Sequence, residues 1–210
     1  MTLVSHEGLR ERKKQKTRET IARVALELFA EHGYQQTTIA QIAEAADVSP
    51  RTVSTYFPAK EEIVFDLNGN MKDRLAEAIR GRPEGDNTMD ALRTWILGER
   101  KVWEQQEDEL ACQRRVIEGD EGLIAHERRL IREFEVLLVE GLAVDLEQAP
   151  DDLEPRMAGA AAVAVFDLLS DEKRPAKNEL PSVEDQMRVL DQALAFITGG
   201  VDALRETREA

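Results

Sequence analysis

Residues 37–57, TTIAQIAEAADVSPRTVSTYF, constrain this chain more than any other stretch. Two short apolar-patterned runs lie on either side of a break. Thr37-Thr38 offers an N-cap for a helix over Ile39 to Ala46. Ser49 caps a second helix from Pro50 to Phe57, with proline at the first position, where a missing N–H costs nothing. Two short helices joined by so tight a turn are what a helix-turn-helix needs. Ile39, Ile42, Val48, Val53 and Phe57 are the apolar contacts that hold the pair crossed, and Ala43 has no bulk to keep them apart. Asp47 falls where the turn calls for left-handed backbone; glycine suits it best, and Asp tolerates it.

Burying Val53 and Phe57 leaves Arg51, Thr52, Ser54, Thr55 and Tyr56 on the outer side. A guanidinium, hydroxyls and one aromatic without a carboxylate suit phosphate oxygens and the base edges of a major groove. An ordinary helical hairpin would carry the same residues as mere surface. Acids are missing from this face in a chain with 42 Asp+Glu, which favours nucleic acid. The charge distribution agrees. The formal net charge is −14, yet residues 1–60 hold nine Lys/Arg against seven Asp/Glu, and Arg10 to Arg18 alone hold six cations and one anion. An acidic body repels DNA, but salt screens that repulsion beyond about 10 Å, so a basic tip still binds. Alone, the basic run reads equally as a solvated tail.

Before this segment, Ile21, Val24, Ala25, Leu28 and Phe29 recur at helical spacing up to a stop at His32-Gly33. Pro58 ends the second helix of the pair, and a fourth helix starts near Lys60. Gly81 to Asn87 is a loop, followed by helices over about 88–106, 108–118, 121–147, 155–169 and 183–206. No alternating β-branched stretch and no internal repeat occurs. The expected fold is all-α: an N-terminal helix-turn-helix three-helix DNA-binding domain and a C-terminal helical ligand-binding and dimerisation domain. The divisions are a flexible basic arm over 1–15, the DNA-binding domain over 16–60, and the regulatory and dimerisation domain over 61–210. No run of eighteen apolar residues exists and no apolar leader stands at the start, so a cytoplasmic protein with no membrane contact is expected. The single cysteine, Cys112, excludes an internal disulfide and a Cys-rich zinc site.

A basic start, RETIARVALELFAEHGY, TTIAQIAEAADVS and PRTVSTYFPAKEEIV follow one another in order. Residues 12 to about 66 thereby resemble the DNA-binding domain of the tetracycline-repressor (TetR) family of transcriptional regulators. The resemblance implies that Pro50–Phe57 is a recognition helix, with Arg51, Thr52, Thr55 and Tyr56 reaching bases or nearby phosphates. Arg51 is the candidate for bidentate reading of a guanine. Thr38 and Lys60 would clamp flanking phosphates, and Arg12, Lys13 and Lys16 would order along the backbone or in the minor groove. Lys60 also suits a capping turn; the phosphate role is preferred because the family keeps a lysine there. Two positions depart from the family pattern. Asp47 replaces the usual turn glycine, and Ser54 stands where many members carry a tyrosine, which shifts that ring's phosphate contact to Tyr56 or removes it.

Val183, Met187, Leu190, Leu194, Ile197, Val201 and Leu204 are spaced four and three apart in alternation, the seam of left-handed helix packing. Met157, Ala161, Ala164 and Leu168 repeat the spacing upstream. Packing inside one subunit would explain either stripe. A second face bearing Ala193 and Phe196 adds more apolar surface than one contact needs, so a homodimer through a four-helix bundle is expected, on a pseudo-palindromic double-stranded DNA operator. The family places an effector pocket in the middle of the chain. Candidates here are Met71, Leu75, Leu92, Trp95, Ile96, Trp103, Cys112, Val116, Phe134 and Phe166, although core packing explains the shared face of Leu92, Ile96 and Trp103 as well. Arg114-Arg115 and Arg128-Arg129-Arg132 read as partners of Glu118, Glu127 and Glu133 before they read as an anion site. Repression released by a small-molecule effector is the expectation, with activation as the alternative. An enzyme is not expected: His6, His32 and His126 have no second histidine at ligand spacing, no glycine-rich phosphate loop occurs, and no metal or cofactor is called for. The basic arm and the acid-free face disfavour a helical protein-binding adaptor.

Overall fold

The computed structural model describes residues 6–66, 71–172 and 183–209, with some side chains near the ends of these segments outside the description. Ten helices run through the described residues: α1 (His6–His32), α2 (Ile39–Ala45), α3 (Pro50–Tyr56), α4 (Lys60–Val64), α5 (Met71–Arg80), α6 (Thr88–Gln105), α7 (Glu107–Glu118), α8 (Glu121–Asp145), α9 (Leu153–Glu172) and α10 (Val183–Glu209). No strand occurs among them. The all-α expectation holds, and the helix boundaries beyond residue 88 fall within a few residues of those read from periodicity.

Two segments differ from the sequence reading for local reasons. Where that reading sets an arm over 1–15 ahead of the first helix, the structure continues one helix from His6 to His32. Arg, Lys, Gln and Glu dominate positions 10–19 and no proline interrupts them, so propensity carries the helix through the basic run. Gln15 Nε2 donates to Glu19 at 2.9 Å, one turn along. The helix expected to start near Lys60 is short, α4 ending at Val64, and a further helix, α5, begins at Met71 before the loop. Between them Asn68-Gly69-Asn70 supplies poor helix formers; residues 67–70 lie outside the described residues.

The chain divides into two compact units, one formed by the described residues of Met1–Asn70 and Lys101–Arg128, the other by those of Met71–Arg100 and Arg129–Ala210. In the first, α1 presents Ile21, Ala22, Ala25, Leu26 and Phe29 to Ile42 and Ala43 of α2, Val53 of α3, Phe57, and Ile63 and Val64 of α4. Val116 and Ile117 of α7 and Leu123 of α8 complete the same core. Each large side chain buried there contributes about 1.5–3 kcal/mol relative to exposure. Gln113, buried on α7, donates to the carbonyl of Val64 at 2.6 Å and so closes the open end of α4.

In the second unit, Leu75 and Ile79 of α5, Leu92, Trp95 and Ile96 of α6, Leu138 and Leu142 of α8, Ala158 and Ala162 of α9, and Leu194, Ile197 and Val201 of α10 are buried. Asp145 closes the start of α6, accepting from the Thr88 amide at 2.7 Å and from Arg82 Nη2 at 2.8 Å. Arg74 grips the buried Glu99 through two hydrogen bonds of 2.7 Å. Gly159 lets α9 approach α8 closely, because a Cβ there would stand 2.4 Å from Val139 Cγ2.

Candidate nucleic-acid interface

Local chemistry fixes both short helices of the 37–57 segment. Thr38 and Gln41 form a reciprocal capping box at the start of α2, Thr38 Oγ1 accepting from the Gln41 amide at 3.3 Å and Gln41 Oε1 accepting from the Thr38 amide at 2.8 Å. The buried Thr37 hydroxyl donates to the Gly33 carbonyl at 2.9 Å, tying the turn to the end of α1. Asp47 adopts φ 53°, the left-handed conformation its position calls for. Ser49 Oγ accepts from the Thr52 amide at 3.0 Å and caps α3 behind Pro50. Val53 and Phe57 are buried, as the crossing of the two helices requires.

What remains outward is the polar set. Arg51, Ser54 and Thr55 are exposed, while Thr52 and Tyr56 are half-buried. Thr55 Oγ1 donates to the Arg51 carbonyl at 2.8 Å, and the Thr52 hydroxyl lies 2.8 Å from that of Ser49. Arg12, Lys13 and Lys16 are exposed on α1. α3 itself bears no carboxylate, so its outer face offers donors to an anionic partner.

Lys60 is placed differently from a free phosphate clamp. Its Nζ donates to the carbonyls of Tyr34 at 2.7 Å and Thr37 at 3.0 Å, and it lies 4.1 Å from the centre of the Tyr34 ring. Burial lowers its pKa against the pull of Asp120 and Glu61. An ammonium carries three N–H groups, and these two carbonyls take two of them. Burial also raises the Tyr34 hydroxyl to about 12, with Glu61 and Asp120 adding to the effect. Gln35 Nε2 donates to Asp120 at 2.7 Å, joining the α1–α2 turn to the turn before α8; that bond is the leading cause of the lowered Asp120 pKa.

Arg18, the last cation of the basic run, has no individual role predicted from sequence. Its Nη1 donates to the Tyr56 carbonyl at 3.0 Å and its Nε to Asp66 at 2.7 Å. The signal was available: Arg18 shares the spacing of Ala22, Ala25 and Phe29, the buried stripe of α1.

The candidate pocket residues fall in both units. Leu75, Leu92, Trp95 and Ile96 are buried in the second unit, where Met71 is half-buried and the rings of Trp95 and Phe134 lie 6.4 Å apart. Val116 is instead part of the core beneath α1, with Cys112 packed against it, and Trp103 also belongs to the first unit. The Phe166 side chain lies outside the described residues. Arg114 pairs with Glu118 at 2.9 Å and Glu127 at 2.8 Å, as neighbouring charges do.

Of the α10 seam, Leu194, Ile197 and Val201 are only 4–7% exposed within a single chain, so these three positions are packed by that chain itself. A 3.5-residue period marks a buried seam without saying what buries it. The side chains of Leu168, Met187 and Leu190 lie outside the described residues, as do those of Val183 and Leu204. The large apolar side chains left exposed in this unit are Phe196 on α10 (79%), Met157 (55%) and Leu153 on α9, and Val136 and Val144 on α8. Ala164 is exposed and Ala161 and Ala193 are half-buried. At Gly199 and Gly200, three and four residues from Phe196, an added Cβ would meet nothing within 4 Å among the described residues.

A family model described as "Bacterial regulatory proteins, tetR family" matches residues 21–67. The chain is 35% identical over 175 residues to the HTH-type transcriptional regulator TcmR of Streptomyces glaucescens, covering 79% of this chain and 76% of that protein. Among solved structures, the SmeT–triclosan complex is similar with a TM-score of 0.58 and 23% identity, over 86% of this chain and 90% of that one. FadR of Thermus thermophilus, a transcriptional repressor in complex with lauroyl-CoA, is similar with a TM-score of 0.52 and 24% identity, over 87% and 94%. No described helix is long and apolar enough to cross a membrane.

Proposed function

The chain belongs to the tetR family of bacterial regulatory proteins, and from that premise we propose that it represses transcription as a homodimer on a pseudo-palindromic operator and lets go when a small-molecule effector binds. Proteins of this family are DNA-binding transcriptional regulators rather than enzymes. The observation that carries the reading is the outer face of α3: exposed Arg51, Ser54 and Thr55, no carboxylate, and capping at the N-terminus that holds the face in one orientation. On this reading α3 enters the major groove, and Arg51 reads a guanine with Thr52, Thr55 and Tyr56 beside it. Thr38, the third N–H of Lys60 and the Arg12, Lys13 and Lys16 side of α1 hold the flanking backbone.

Two copies meet through the open apolar surface of α9 and α10, centred on Phe196 and Met157, with Ala161, Ala164 and the two glycines allowing close approach. Residues 16–60 act as the reading head within an otherwise regulatory and dimerising chain. The effector has an apolar body, held in the second unit near Leu75, Trp95, Ile96 and Phe134. In support, the related SmeT and FadR structures hold triclosan and lauroyl-CoA. The effector works by favouring a conformer whose paired α3 helices no longer match the operator, which requires different affinity for the two conformers. A regulator of this kind acts in the cytoplasm.

Selection of bound duplexes from a random DNA pool at moderate and raised salt tests the proposal. Recovery of an inverted repeat, bound more weakly as salt rises, is the expected result. Binding without any sequence preference by the folded protein would overturn it.

A further inference from the structure

We propose that Arg18 and Asp66 form a positioning pair for sequence reading: they set the angle at which α3 is presented, so that losing either weakens specific DNA binding and spares non-specific binding. The inference rests on α3 being the recognition helix. Arg18 belongs by sequence to the cationic run, but its guanidinium turns inward and lies 4.5 Å from the centre of the Phe57 ring. Nη1 donates to the Tyr56 carbonyl at 3.0 Å, while Nε and Nη2 both stand 2.7 Å from Asp66 Oδ1. One planar group therefore ties α1 to the final carbonyl of α3 and to the residue just past the C-cap of α4.

The physics favours keeping Arg18 there. The last carbonyls of a helix have no partner within it, and a cation at that end also opposes the helix dipole. The Asp66 side chain is only 8% exposed. Burial raises its pKa even against the pull of Arg18. Were Arg18 to swing out to a phosphate, Asp66 would be left buried and unpaired, an arrangement that is strongly unfavourable. The donors of the fork serve a carbonyl and a carboxylate in different directions, which a lysine's point charge cannot reproduce. Ser49 holds the other end of α3. With the Arg18 tether gone, a tilt moves Thr55 and Tyr56 by more than hydrogen-bond geometry tolerates.

The sign of the Asp66 effect separates positioning from bulk charge. Replacing Asp66 with Asn makes the chain less acidic, so electrostatics alone would tighten DNA binding. The test is equilibrium binding of the full chain to its selected operator and to a scrambled duplex, at two salt concentrations, for wild type, Arg18→Lys and Asp66→Asn. Circular dichroism melts refer each affinity to the folded fraction. Each variant is expected to weaken operator binding by about tenfold, the scale of one charge-assisted hydrogen bond. Scrambled-duplex binding should stay within about twofold and the salt slope unchanged, since no phosphate contact is lost. Should Asp66→Asn fail to fold, Asp66→Glu, which keeps the charge but moves it, is expected to show the same selective loss. Arg18→Lys bound like wild type, or an Asp66 variant that binds the operator as well as or better than wild type, would overturn the pair. A wild-type chain with no sequence preference would overturn the reading of α3 instead.

Discussion

α3 and α10 turn opposite chemistries outward. α3 is two turns long, buries Val53, and shows Arg51, Ser54 and Thr55 to solvent while Ser49 and Arg18 hold its two ends. α10 is 27 residues long, buries Leu194, Ile197 and Val201, and leaves Phe196 and two glycines uncovered among the described residues. Fixed polar donors suit a face that must meet another molecule's polar edges in register. An uncovered aromatic beside glycines suits a face completed by apolar packing, where contact area matters more than orientation. On the proposed function, one unit carries a surface for discrimination and the other a surface for association.

Adjacent residues on α10 separate the buried face from the open one most severely. Ile197→Asp would put a carboxylate where the side chain is 4% exposed, and a loss of several kcal/mol, read as an unfolded chain by circular dichroism, is expected. Phe196→Asp, at a position 79% exposed, should instead leave the helical spectrum intact and halve the mass by light scattering. An unchanged mass would show that Phe196 does not take part in association.

On the other side of the comparison, Arg51→Ala should weaken operator binding by about 1–3 kcal/mol and relax preference at one base-pair position. Equal weakening on every sequence would make Arg51 a phosphate contact and α3 a less discriminating face. Gln113→Leu removes the hydrogen bond to the Val64 carbonyl and should lower stability by about 1–3 kcal/mol in denaturant unfolding, since a buried acceptor is left without its donor. An unchanged midpoint would show that α4 does not depend on α7.

The smallest effect lies at alkaline pH. Tyr34 is raised from an ordinary 10.0 to about 12, so the folded chain keeps a proton that the unfolded chain releases between those values. Its contribution is present below pH 10 and is lost as pH climbs towards 12. Tyr34→Phe should flatten that part of the stability curve, and ultraviolet titration should show one tyrosine ionising late. A wild-type curve matching Tyr34→Phe there would contradict the assignment.

The parts of this fold legible in sequence are those governed by near neighbours. Thr38, Asp47 and Ser49-Pro50 act within a few residues of themselves, and caps and turn stand where those residues place them. The return of α7 to the core under α1 had no such signal, because Val116 and Ile117 on an amphipathic helix fit any apolar partner. The same limit explains the α10 seam: periodicity marks Leu194, Ile197 and Val201 as buried, and only tertiary contacts decide whether a second copy is involved. Lys60 and Arg18 carry a related lesson. A cation's neighbours in space, the carbonyls of Tyr34 and Thr37 or the carboxylate of Asp66, determine whether it faces DNA, and those partners lie 23 to 48 residues away in the chain.

The most direct measurement is the stoichiometry and affinity of the protein on its selected operator, by analytical ultracentrifugation, compared with the same duplex in which one half-site is scrambled. Two chains on the intact repeat, with affinity falling steeply when either half is lost, is the predicted result. A single chain bound with the same affinity to both duplexes would contradict it, leaving α3 a reader but the apolar face of α9 and α10 without its proposed role.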